Sequence, residues 1–179
     1  MEFFAGKSVA IVGNAESLLT GNHGAEIEAH DLVLRMNRGV PTKPESQGSR
    51  TDVLVFAQFH TVAKFVNAFQ ARHLIWMSWF DQEGVDEGPA LPEGIVFYDA
   101  RRRSALMGRL KARPSVGAMV IDLVASSGVK TATVFGFDFK RTNTYYRQKV
   151  HIGPHDYDSE EQFCLETVEQ NGWSIVRDY

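Results

Sequence analysis

Ser8-Val-Ala-Ile-Val12 followed by Gly13-Asn-Ala-Glu-Ser17 is a short β-branched, apolar run that gives way at once to small and polar residues. Five such residues, apolar on both faces, predict a strand covered on both sides, as parallel strands are. Small residues directly after a strand let a ligand approach the backbone, and in open parallel sheets ligands bind beyond the strands' carboxyl ends. Working outward, similar runs predict strands at 31–35, 52–56, 73–77, 95–98, 131–137 and 173–176. Helical patterns fall between them. At 116–127, Val116, Met119, Val120, Leu123 and Val124 repeat with helical period, Ser115 stands at the cap position and Gly128 follows the end. Further helices are predicted at 159–171 and 61–71. Alternating strands and helices predict a single-domain Rossmann-like α/β fold, with a mostly parallel sheet of about seven strands and helices on both faces. Long loops are expected at 40–49, at 81–94, which is acidic from Asp81 to Gly94, and at 140–154, and loops of this length in so small a domain are usually functional or mobile.

The chain has 179 residues, of which 44% are hydrophobic and 23% charged, so one packed domain over 1–179 is expected rather than a disordered or fibrous chain. Nineteen Lys and Arg against 22 Asp and Glu give a net charge of −3, which argues against a nucleic-acid partner. Cys164 stands alone in the sequence, so no intramolecular disulfide forms and a reducing, cytoplasmic home is expected. The apolar runs at 53–57 and 74–77 are far below the roughly 20 residues of a membrane-spanning helix. Residues 1–7 lack the basic-then-apolar order of a signal peptide, so none is expected.

The loop after the first strand argues against two common nucleotide sites. Gly13 is followed by Asn14 and Ala15, and the next glycine is Gly21, so the spacing of the dinucleotide fingerprint is missing. The Lys and Ser/Thr pair of a phosphate loop is missing as well. The longer string Val9-Ala-Ile-Val-Gly-Asn-Ala-Glu-Ser-Leu18 with Gly24-Ala-Glu-Ile-Glu-Ala-His-Asp-Leu-Val-Leu-Arg-Met-Asn37 is more specific. It resembles the large sialyl motif of the animal-type sialyltransferases, glycosyltransferase family 29. Three further resemblances come in that family's order. Pro114-Ser-Val-Gly117 through Val134-Phe-Gly-Phe137 resembles the small sialyl motif, Tyr145-Tyr146 falls at the aromatic third motif, and Gly153-Pro-His-Asp-Tyr-Asp-Ser-Glu160 carries the His-x4-Glu of the very small motif. There are departures. The cysteines that animal members pair align with Val9 and Val129, and Thr144 stands where the family often has histidine.

The resemblance implies a short, bacterial-like member with a GT-A-like variant of the α/β fold. It implies inverting, metal-independent transfer of sialic acid from CMP to a hydroxyl of a glycan or glycolipid, with no cofactor beyond the CMP-sugar substrate. Such chemistry needs a base, groups that stabilise the departing phosphate, and polar contacts to the nucleotide. His155 is the expected base, because an imidazole titrates near neutral pH; alone, the same residue reads as helix-capping or packing. Glu160, in the first turn of the next helix, is expected to support it, or simply to favour the helix N-terminus. Ser115 and Gly117 begin the best-patterned helix, where unpaired N–H groups attract phosphate. Tyr145 and Tyr146 offer phenolic hydrogen bonds, and Asn14 and Asn37 offer amides at strand ends, where Asn also serves as a turn residue.

Other features carry competing readings. Asp156-Tyr157-Asp158 has the spacing of a metal-binding pair, but one phosphate on a CMP-sugar needs a metal less. Gly153 and Pro154 prevent the helix that would pair His151 with His155 on zinc. Arg101, Arg102 and Arg103 read as a solvated face or as a contact for an anionic acceptor or a peripheral membrane surface. Trp76, Trp79 and Phe80 read as core or as an acceptor platform, and Cys164 as a small buried hydrophobe. Two further functions stay open at this point: transfer from another CMP-sugar such as CMP-Kdo, and a nucleotide-binding protein of the same fold without catalysis.

Overall fold

The computed structural model describes residues 1–78, 90–147 and 153–178. Among these, the strands are β1 (Ser8–Val12), β2 (Leu32–Met36), β3 (Val53–Phe56), β4 (His73–Trp76), β5 (Val96–Phe97), β6 (Thr131–Phe135) and β7 (Ser174–Ile175). The helices are α1 (Gly24–Glu28), α2 (Pro44–Gln47), α3 (Phe59–Val62), α4 (Val66–Phe69), α5 (Ala100–Leu110), α6 (Val116–Ala125) and α7 (Tyr157–Gln170). The strands form one sheet in the order β5-β4-β3-β2-β1-β6-β7, and every pairing is parallel. The chain winds outward from β1 to β5, then returns to the other side of β1. The strand order therefore reverses between β1 and β6, which is where an open α/β sheet leaves a crevice.

Alternation along the strands assigns the layers. Val9, Ile11, Leu34, Met36, Val53 and Val55 point into one cluster with side chains of α5, α6 and α7. Their neighbours point the other way. Ala10, Val12 and Val33 pack with Leu18 and Ile27, and Leu54 and Phe56 pack with Phe59, Val62 and Phe69. The period-2 pattern thus buries both faces under different helices, as the apolar runs predict. Val9 lies in the first of these clusters, and the partly buried Val129 packs against it.

Four elements depart from the sequence reading, the first being the short helix α1, which was not expected. The segment 61–71 is not one helix: α3 passes through a 3-10 turn, Ala63–Phe65, into α4, which ends at Gln70 with φ +50°. Aromatic and β-branched residues at 62, 65, 66 and 69 weaken helix propensity along this stretch and are drawn to the core instead. Helix α5 was not expected. Asp99 caps it, accepting from the N–H groups of Arg101 and Arg102, and only Leu106 and Leu110 of its residues are buried. The loop 40–49 holds the short helix α2. Trp79, Phe80, His151 and most of the acidic loop from Asp81 lie outside the described residues.

Candidate active site

Four strand ends and one helix start open onto a single cleft of ≈ 720 Å³ at the carboxyl edge of the sheet. The loops after β1 and β6 form its floor. Gly13 N–H donates to Phe135 O at 2.8 Å, and a Cβ on Gly13 would stand 2.3 Å from Gly136 O. Only glycine lets these two strand exits touch. The floor is then zipped to the segment after it: Tyr145 N–H donates to Asn14 O at 3.1 Å, Glu16 N–H donates to Asn143 O at 2.8 Å, and Ala15 bridges Thr144. Thr144 therefore stands on the cleft wall through its backbone pairing with the first loop. Asp138 anchors this segment by accepting from Thr142 N–H at 2.8 Å and from the Thr142 hydroxyl.

Asn14 and Asn37 face the cleft from β1 and β2. Asn14 Nδ2 donates to Met36 O at 2.9 Å, and Asn37 Oδ1 accepts from Ala57 N–H at 3.0 Å. Each asparagine thus ties its own strand end to the next one, and Asn37 does so from φ +54°, a conformation that Asn tolerates. Tyr146 lines the cleft, within 3.4 Å of Asn14 Nδ2 and with the Arg38 guanidinium 5.1 Å from its ring centre. Tyr145 turns differently. It lies beneath, hydrogen-bonded to Gln47 and close to Arg35, and burial raises its phenol above the ordinary range. Arg35 is itself buried, donating to Arg50 O and Gln47 O, and burial lowers its guanidinium to about 10. The two adjacent tyrosines therefore serve opposite sides of one loop.

The opposite wall is the start of α6 with the turn into α7. The Ser115 hydroxyl caps α6, accepting from Ala118 N–H at 3.2 Å. It also donates to Glu160 Oε2 at 2.5 Å, while Ser115 N–H donates to Glu160 Oε1 at 2.6 Å. The buried Glu160 carboxylate thus clamps the α6 start to α7, and burial raises its pKa. The Ser115 proton is spent on that clamp, so the donors left for a ligand are the first-turn N–H groups of Val116 and Gly117, which have no intrahelical partner. Gly117 approaches Phe137, its notional Cβ lying 3.1 Å from that ring, so α6 begins beside the exit of β6.

His155 lines the same cleft. Its Nδ1 lies 2.7 Å from Arg113 O, and a carbonyl oxygen can only accept, so Nδ1 carries the proton and Nε2 carries the lone pair. Burial holds the imidazole below its ordinary 6.5, against the carbonyl contact that favours the charged form. The ring is therefore neutral at pH 7. Among the described residues, the cations on the cleft are Arg38, Lys64, Lys140 and Arg147, and its carboxylates are Asp138 and Glu160. Both acids are held by hydroxyl and N–H donors, so the open surface of the cleft is cationic although the chain as a whole is anionic. Sequence reading missed Arg38, His60, Lys64, Asp138 and Lys140, which are scattered singly along the chain.

The competing features resolve locally. Asp156 accepts from Ser159 N–H at 3.1 Å and Ser159 Oγ at 2.8 Å, so its carboxylate caps α7. Cys164 sits buried under the cleft, its thiol pushed up to about 12 by burial. Trp76 donates to Ala57 O at 2.8 Å and stacks on Phe97 at the sheet edge. Arg102 pairs with Asp122 at 2.9 Å.

Residues 6–77 match the family model for glycosyltransferase family 29 (sialyltransferase). The family matched is that of the sialyltransferases. This stretch contains the large-motif string from Val9 to Asn37 and ends one residue beyond β4. Solved sialyltransferases share the fold. A mammalian sialyltransferase in complex with Gal-beta-1-3GalNAc-ortho-nitrophenol superposes with a TM-score of 0.66 at 20% identity, covering 96% of this chain and 69% of that one. The alpha-2,3-sialyltransferase from Campylobacter jejuni gives a TM-score of 0.62 at 16% identity, covering 95% and 74%. The sialyltransferase CstII from the same organism, in complex with the substrate analogue CMP-3FNeuAc, gives 0.59 at 15% identity, covering 92% and 76%. A comparison with curated protein sequences gives no match. Among the described residues, no helix is long and apolar enough to cross a membrane.

Proposed function

We propose that this chain transfers sialic acid from CMP-sialic acid to a glycan or glycolipid hydroxyl with inversion, His155 acting as general base. The observation that carries the reading is the tautomer set by Arg113 O. A neutral ring with its lone pair on Nε2 can take the acceptor's hydroxyl proton, and its depressed pKa keeps it neutral through the physiological range. The freed oxygen attacks the anomeric carbon from the face opposite the phosphate. The bond from that carbon to the phosphate oxygen breaks, and CMP leaves with the electron pair.

The α6 start supports the second half of that reaction. N–H groups at a helix N-terminus favour a developing phosphate charge, and the Tyr146 hydroxyl faces the same space. Glu160 acts here as a positioning residue, since it holds Ser115 and thereby the orientation of α6. Asn14 and Asn37 present amides for nucleotide and sugar, and Tyr145 supports the floor. The Asp156 carboxylate already caps a helix, so the reading assigns the Asp-x-Asp pair no metal.

Incubation with CMP-sialic acid and a galactoside, followed by NMR of the product, tests the proposal. It expects release of CMP and an α-linked product from the β-linked donor. Protein that binds CMP but turns over no CMP-sugar would contradict it.

A further inference from the structure

The carbonyl that selects the tautomer of His155 belongs to a peptide bond that enters a proline. Residues 111–115 join the end of α5 to the start of α6. This strap is short and pinned at both ends. Leu110 is buried, Lys111 closes α5 from φ +53°, and the Ser115 hydroxyl caps α6. Two main-chain groups of the strap reach the segment that carries the base. Arg113 O meets His155 Nδ1 at 2.7 Å, and Ser115 N–H donates to Glu160 Oε1 at 2.6 Å. Pro114 stands buried between these contacts and has no N–H of its own to offer.

What the proline supplies is restraint on its neighbour. Its Cδ crowds the preceding residue out of the helical region and into the extended one. The direction of a carbonyl follows from the ψ of its own residue, so this restriction falls on Arg113 O. A further helical turn here, between two helices, would aim that oxygen along the helix axis instead of sideways at the ring. The contact is made by the main chain and does not need the Arg113 side chain. On the helix side, the Tyr157 ring packs against the imidazole with centres 5.8 Å apart and planes inclined by 60°. That contact steadies the plane of the ring, whereas the hydrogen bond at Nδ1 decides where the lone pair resides.

Resting on the transferase reading above, we propose that Pro114 is a positioning residue for the base: by holding the Arg113 carbonyl in line with Nδ1, it keeps the lone pair of His155 on Nε2. Pro114 touches neither donor nor acceptor in this role and acts only through the tautomer.

The test is nitrogen-15 NMR of the imidazole in the whole protein at about pH 8, where the ring is neutral. Its signal is identified by its loss in His155→Ala. The wild type is compared with Pro114→Ala and with Pro114→Val, which is nearer to proline in volume. Both variants remove the Cδ restriction, and a result on either one is decisive. The wild-type ring is expected in the Nδ1–H form. In the variants that share is expected to fall to about half, with kcat lowered about twofold in step and CMP affinity kept within about twofold. A wild-type ring protonated at Nε2, or an Nδ1–H share unchanged by the substitution, overturns the proposal. A fall in Tm or CMP affinity with the tautomer unchanged also overturns it, since Pro114 would then only brace the start of α6. If the wild type releases no CMP from CMP-sialic acid, the transferase reading falls, while the tautomer comparison needs no turnover and still decides the role of Pro114.

Discussion

His155 owes its chemistry to a backbone atom. Arg113 O fixes which nitrogen is protonated, and partial burial fixes how readily the other one is protonated. A base works only when neutral, and a lowered pKa means that protonation overtakes it only at more acidic pH. The acid limb of kcat/KM is therefore expected to have its midpoint below 6.5, with activity level between there and pH 7.5; a limb centred above 7 would contradict the assignment. Asn14 is held as tightly from another direction. A methyl group on Gly39 would stand 2.0 Å from Asn14 Oδ1 and 2.9 Å from the Tyr145 hydroxyl. Gly39→Ala is expected to displace the asparagine amide and lower CMP affinity about tenfold, the worth of about one good hydrogen bond. Calorimetry showing unchanged affinity would remove Asn14 from the nucleotide site.

At the scale of elements, the decisive junction joins α6 to α7. One serine and one glutamate make three hydrogen bonds there, two of them between Ser115 and the buried Glu160 carboxylate. Ser115→Ala removes a helix cap and leaves a buried carboxylate oxygen without its hydroxyl partner. Thermal unfolding is expected to show a loss of about 2–3 kcal/mol, cap and unsatisfied group together; a change below about 0.5 kcal/mol would mean the clamp carries no weight. This junction was half legible in the sequence. Ser115 announced itself as a cap before a periodic apolar stretch, but nothing in the spacing linked it to Glu160, forty-five positions away. The strands were legible because β-branched runs buried on both faces leave few alternatives, and β1 falls where its composition places it. Helix α5 was hidden because its three successive arginines carry no apolar period, and its cap, Asp99, was the one local signal. The segment 61–71 read as a single helix because apolar spacing counts residues and does not register a 3-10 turn.

The whole molecule turns scattered residues into one cleft. Gly13, Asn37, Ala57, Gly136, the start of α6 and the turn into α7 meet only because the strand order reverses between β1 and β6. The motif positions in that cleft could be named from the string alone. Arg38, His60, Lys64 and Lys140 could not, since each is an ordinary polar side chain until the winding of the sheet brings it to the rim. The same winding gives an anionic chain a cationic mouth, suited to a substrate that carries phosphate and carboxylate. The proposed transfer depends on one imidazole, His155, set against a cytidylate at the α6 start. The direct measurement compares turnover of CMP-sialic acid by the wild type and by His155→Ala, with CMP affinity measured on both proteins. Turnover is expected to fall at least about 100-fold while CMP binding stays within about threefold; a variant that keeps turning over near the wild-type rate would contradict the account.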